Sequence, residues 1–169
     1  MVTTRDLLID AFDRIRDNTA RVVGGLTEAE LTFRAAPDAN SIAWLVWHLT
    51  RVQDDHIADA SGGAQVWTTA GFATAFGLPF SDEATGYGMS ADEVGAVAGV
   101  SADELVAYHA AVHDRTVAYV GGLSGADLDR VVDEEWDPPV TLAVRLVSVV
   151  ADDLQHVGQA AFIRGLLPD

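Results

Sequence analysis

The stretch Val140-Thr141-Leu142-Ala143-Val144-Arg145-Leu146-Val147-Ser148-Val149-Val150 follows Pro138-Pro139 and is interrupted only by Thr141, Arg145 and Ser148. A helix built from it, running on to about Leu166, has little polar face. It is therefore expected to be buried by neighbours on several sides. An apolar helix in a small soluble protein needs other helices around it, and the rest of the chain supplies them.

From Arg5 to Leu26, Leu8, Ala11, Phe12, Ile15, Val22 and Val23 keep helical spacing until Gly24-Gly25 stops the pattern. A second helix is predicted over Ser41–Ala60, striped by Ile42, Leu45, Leu49 and Val52 and ended by Ser61–Gly63. A third runs from Ser101 to Val120, with Leu105, Val112, Thr116 and Tyr119 on one face and Gly121-Gly122 closing it. Thr27–Glu30, Ser90–Glu93 and Ser101–Glu104 have the spacing of capping boxes, and Thr3 with Asp6 is a weaker version. Alternating patterns are nearly absent, and Arg130–Trp136 is the one stretch that reads as extended. The expected fold is all-α: a single domain over 1–169 forming an up-down four-helix bundle.

Between the second and third helices lies a long aromatic connection, Ser61 to Met89, carrying Trp67, Phe72, Phe76, Phe80 and Tyr87. It is too hydrophobic for disorder. A short helix is expected around Val66–Phe76, covering one end of the bundle either as plain packing or as a substrate lid.

Composition narrows the function. The 169 residues carry 26 acidic and 10 basic side chains, a net charge of −16. Such a surface repels phosphate backbones, so nucleic acids and anionic membranes are excluded as expected partners. There is no cysteine, which removes disulfides, thiolate ligands and a cysteine nucleophile. No apolar run reaches the ~18–20 residues of a membrane span, and Met1–Arg16 is amphipathic rather than a leader, so a cytoplasmic location is expected. All ten basic residues are arginine, as in GC-rich, actinobacteria-like genomes; adaptation to high salt is the other reading.

The five histidines carry the chemistry. His109 and His113, one turn apart, form the most conspicuous metal pair by pattern alone, although no glutamate follows His109 as in H-E-x-x-H proteins. His156 follows Asp152 by one turn. At ~100° per residue Asp152 lies about 40° and Asp153 about 60° from it around the helix, so either carboxylate can share a site with the imidazole. An acid on so apolar a helix needs a metal, or an arginine such as Arg51 or Arg145. His48 sits within Trp44-Leu45-Val46-Trp47-His48-Leu49, where a lone histidine reads as ligand or as core. His56, about 12 Å further along, cannot easily share its ion, while Asp55 and Asp59 read as supporting groups or as solvated surface.

Ser41-Ile42-Ala43-Trp44-Leu45-Val46-Trp47-His48-Leu49, followed far downstream by Asp152-Asp153-Leu154-Gln155-His156-Val157-Gly158-Gln159-Ala160-Ala161, resembles the DinB-like superfamily. That superfamily includes mycothiol-dependent maleylpyruvate isomerase and the bacillithiol transferases, and the resemblance spans essentially the whole chain, closest to an uncharacterised actinobacterial branch. It implies a four-helix bundle holding a divalent metal through His48, Asp152 and His156. Many members have histidine in place of Asp152 and the isomerase has glutamate. Asp152 is one methylene shorter than that glutamate, and Asp153 is its alternative. His109 and His113 have no role in that pattern.

Three protein ligands leave an ion open to water or a thiolate. Because the chain has no thiol of its own, the sulfur would arrive with a small molecule. The resemblance and the composition together favour mycothiol, added to an electrophile in a transfer or an isomerisation. Zinc is the first choice of metal, with nickel, iron or manganese also suiting two imidazoles and a carboxylate. Arg164 is placed to meet an anionic substrate group or to salt-bridge at the surface, and Trp44, Trp67, Phe76 and Trp136 to shape a pocket or fill the core. Two other readings stay open: a hydrolase using metal-bound water, and a non-catalytic, stress-related metal-binding protein. A homodimer is compatible with the resemblance.

Overall fold

A computed structural model describes residues 1–168. The chain is mostly helical. Its helices are α1 (Thr4–Val23), α2 (Glu28–Leu31), α3 (Ile42–Ser61), α4 (Val66–Thr69), α5 (Phe72–Phe76), α6 (Ala91–Gly95), α7 (Ala102–Gly122) and α8 (Leu142–Arg164). Two short antiparallel strands, β1 (Val131–Asp133) and β2 (Val140–Thr141), lie between α7 and α8. The starts of these helices are written locally. Thr3–Asp6, Thr27–Glu30, Ser90–Glu93 and Ser101–Glu104 all form reciprocal capping boxes, and Ser41 and Thr141 cap α3 and α8. The expected short helix in the aromatic connection is split into α4 and α5 at Gly71, whose φ is +80°.

The four long helices pack α1 against α7 and α8, and α3 against α7 and α8. Cross-helix bonds give their directions. Arg5 reaches the Gly121 carbonyl at 3.0 Å and Asp13 meets His113 at 2.8 Å, so α1 and α7 are antiparallel. His48 lies beside His156, and His56 beside Arg145, so α3 and α8 are antiparallel too. Across α3 and α7, however, the Tyr108 hydroxyl donates to Asp54 and the Tyr119 hydroxyl to the Ala60 carbonyl, both at 3.0 Å. Those two helices run the same way. The expected simple up-down alternation is therefore corrected to up-down-down-up. The cause is the connection between α3 and α7, which travels back along α3 before α7 begins.

Burial also falls differently from the expectation. Every residue from Ser41 to Arg51 is buried, because the aromatic connection covers the outer side of α3. α8 buries Leu142, Leu146, Val149, Val157, Ala160 and Ile163 but leaves Val144, Val147, Leu154 and Phe162 in solvent. The all-round burial predicted for α8 belongs to α3. Among the described residues, nothing is folded over the outer face of α8.

A buried network fastens the connection. Asp54 is 1% exposed and accepts from the amides of Val66 (2.8 Å) and Trp67 (2.7 Å) at the start of α4. Arg51, fully buried, donates to the carbonyls of Asp82 and Ala84 and to the Gln65 side chain, and lies over the Trp67 ring. Trp67, Phe72, Phe76 and Tyr108 then pack ring against ring.

His109 sits in the core of α7, where burial, then the neighbouring His113 and Arg16, hold its pKa down at about 3. Its folded pKa lies below the usual 6.5, so the unfolded chain binds the extra proton between those values, and stability falls as pH drops from 6.5 toward 3. Wild type should therefore lose about 2 kcal/mol more than His109→Leu between pH 6.5 and pH 5, as read from urea midpoints. Parallel losses in the two proteins would contradict this.

Candidate metal centre

α3 delivers His48 to the side of the helix that faces α8. Its Nδ1 lies 2.6 Å from the Thr85 carbonyl oxygen, which can only accept, so the proton is on Nδ1 and the Nε2 lone pair is free. Trp44, one turn earlier, stacks on the imidazole at 4.5 Å and 16°. Burial is the main reason the His48 pKa is lowered, which keeps the ring neutral and fit to ligate.

α8 delivers the other two groups one turn apart. His156 Nδ1 donates to Gln159 Oε1 at 2.9 Å, while its Nε2 lies 3.5 Å from Asp152 Oδ1. The Asp152 carboxylate raises the His156 pKa against the effect of burial. Burial works against ionisation of Asp152, but the hydrogen bond and charge of His156, with His48 and His56, outweigh it and the Asp152 pKa is lowered. One ligand atom each from His48, Asp152 and His156 lies within 4.8 Å of the other two. Asp152 Oδ2 is buried with no hydrogen-bond partner. Two imidazoles and an ionised carboxylate, one of whose oxygens is orphaned, converge into a donor set that can hold a divalent cation.

Among the described residues, no internal arginine competes for this carboxylate. Arg51 is occupied by the aromatic connection, and Arg145 is paired with Asp133 at 2.7 Å while donating to His56 Nδ1. Asp153 is not an alternative ligand: it points to the core, fully buried, and burial drives its pKa well above the usual carboxylate range. Asp55 is taken by Gln65 Nε2 at 2.7 Å, two turns along α3 from His48.

The His109/His113 pair, the alternative offered by spacing, lies apart from this cluster. His113 Nε2 is held by Asp13 at 2.8 Å, His109 is sealed in the core, and the described residues bring no third ligand to them. Two histidines on one face share an ion only if the opposing helix offers donors, and α1 offers Asp13 and Arg16 to His113 alone. Arg164 is not available to a substrate, because its guanidinium caps the C-terminal carbonyls of α1 at Arg21, Val22 and Gly24. Trp67 and Phe76 are core residues. Trp136 stands 66% exposed on the β1–β2 loop, away from any pocket with them.

A family model described as the DinB superfamily matches residues 11–160. The chain belongs to the DinB superfamily. A crystal structure of a "conserved protein of locus from Enterococcus faecalis" superposes on this DinB-superfamily chain with a TM-score of 0.91, at 30% identity over 98% of each chain. No curated protein matches it.

Three contacts of the centre are absent from the reading of the sequence. Gln159 orients His156, three residues on, and the Gln at that spacing was a usable signal. Thr85 and the buried pair Arg51–Asp54 were not. The first acts through a carbonyl 37 residues from His48, and the second resembles an ordinary surface i,i+3 ion pair unless the apolar residues around it are weighed.

Proposed function

We propose that this chain is a metal-dependent enzyme that uses a low-molecular-weight thiol, mycothiol in particular, in transfer to or isomerisation of a small electrophile. His48, Asp152 and His156 are the ligands in this reading, zinc is the first candidate ion, and the four long helices act as a four-helix bundle that keeps α3 and α8 in register. The observation that carries it is the one-sided access to the donors. The His48 residue is 6% exposed, whereas the Asp152 and His156 side chains are 35% and 18% exposed. Three donors from the protein side leave the solvent side for an incoming molecule. An ion held there lowers the pKa of a bound thiol and supplies a nucleophile at neutral pH.

The residues divide the remaining work. Thr85 and Gln159 hold the two imidazoles with Nε2 forward, and Trp44 walls one side of His48. Asp152, already ionised, would neutralise charge at the centre, and His156 would give up the proton it shares with Asp152 when an ion binds. The absence of cysteine leaves no internal thiol to compete with the cosubstrate. No helix of the described residues is long and apolar enough to cross a membrane. A cytoplasmic location, where low-molecular-weight thiols are abundant, belongs to the same proposal.

The test uses untagged protein loaded with Co(II). Adding mycothiol should produce a sulfur-to-cobalt charge-transfer band and perturb the d–d bands of a tetrahedral site. A spectrum indifferent to mycothiol, combined with turnover of esters or amides, would replace the thiol reading with a metal-water hydrolase. Indifference to both would leave a metal-binding protein without thiol chemistry.

A further inference from the structure

The aromatic connection returns along α3 and delivers three backbone carbonyls to it in succession. Arg51 takes those of Asp82 and Ala84, both at 3.0 Å, and His48, one turn earlier on α3, takes that of Thr85 at 2.6 Å. The next residue, Gly86, is buried and has φ +98°, a conformation that L side chains rarely adopt. A Cβ at Gly86 would lie 2.7 Å from His48 Nδ1, 3.1 Å from the Trp47 ring and 3.2 Å from the Trp44 ring. Trp47 is 1% and Trp44 6% exposed, so neither ring has room to give way. Any side chain here must lift the strand of backbone that carries the Thr85 carbonyl.

We propose that Gly86 is a positioning residue for the metal centre: its missing side chain lets the Thr85 carbonyl seat on His48 Nδ1, which fixes the imidazole tautomer and aims Nε2 at the point shared with Asp152 and His156. A carbonyl that accepts from the far nitrogen of a metal-ligating histidine sets both its tautomer and its ring orientation. Here that partner comes from a connection and not from the helices. Arg51 assists by pinning Asp82 and Ala84 so that residue 85 arrives in register. The consequence for the metal rests on the assignment of His48 as a ligand; the consequence for the tautomer does not.

The molecule contains its own control. Gly88, two residues on, also has positive φ (+72°), yet a Cβ there would meet nothing within 4 Å. Gly88→Ala imposes backbone strain of the same kind without touching His48. Histidine nitrogen NMR on metal-free protein reads the tautomer, and Co(II) titration reads affinity. In wild type and Gly88→Ala, His48 should be protonated at Nδ1, and the two should bind Co(II) within about threefold of each other. Gly86→Ala should lose that single tautomer and bind at least ~10-fold more weakly. Equal affinities in Gly86→Ala and Gly88→Ala would overturn the proposal. So would a wild-type His48 protonated at Nε2, a measurement that requires no variant to fold. Wild type that takes up no Co(II) would sink the metal assignment instead, and the tautomer of the metal-free proteins would still decide the role of Gly86.

Discussion

His156→Ala, purified without an affinity tag, should bind Co(II) or Zn(II) at least ~100-fold more weakly than wild type, because removing a direct ligand exceeds the 10–100-fold cost of disturbing its supports. The side chain is partly exposed and its partners are Asp152 and Gln159, so the truncation leaves no buried orphan beyond the donors of the centre itself. Folding of the metal-free variant should change little. The metal-loaded proteins should differ more, since an ion held at ~100 times its Kd adds about 2.7 kcal/mol of stability that the variant cannot gain. His113→Ala should keep wild-type affinity, because that imidazole is committed to Asp13. Affinity retained in His156→Ala and lost in His113→Ala would move the centre to α7.

The largest effect on stability is expected at Arg51. Arg51→Met keeps much of the volume but removes the charge lying 3.8 Å from Asp54 Oδ2, and with it the donors to Asp82, Ala84 and Gln65. Asp54 then remains a buried carboxylate with only two amides and the Tyr108 hydroxyl. Breaking one side of such a pair costs about 3–5 kcal/mol. Urea denaturation should show that loss, together with exposure of Trp67 and Trp47 in the fluorescence spectrum. Metal affinity should fall as well, since the carbonyl of Thr85 is held in register by the same arginine. A loss below about 1 kcal/mol would mean that the aromatic packing around Trp67 and Tyr108 holds the connection unaided.

The helix starts were readable because a capping box is a three-residue affair: Thr27 and Glu30 need nothing outside themselves. Asp152 and His156 were readable for a similar reason, since one turn of helix brings them together whatever the tertiary fold. His48 was different. Its spacing distinguishes it from no other core histidine, and only the pattern around it, matched against a family, placed it with α8. What could not be read depends on which surface a neighbour presents. His109 and His113 share a face as surely as Asp152 and His156 do, but α1 meets them with an aspartate and an arginine. The apolar run Val140–Val150 gave a helix correctly and its surroundings wrongly, because hydrophobicity does not say where the chain will lay its long connection. That connection covers α3, and it does so through Arg51 and Asp54, whose partners lie 12 to 33 residues away.

All three candidate metal donors lie on α3 and α8, with His48 and His156 separated by 108 positions (156 − 48). An ion joining them would therefore be a removable crosslink closing most of the polypeptide into a ring, whereas α1 and α7 are tied by permanent side-chain bonds such as Arg5 to the Gly121 carbonyl and Asp13 to His113. Because the unfolded chain does not bring these donors together, the ion would stabilise the folded arrangement by mass action, and that support would vanish when the ion is withdrawn. The protein's resistance to heat and proteolysis would thus become a property it shares with its surroundings: cells starved of divalent metal would hold a shorter-lived population of the same molecule.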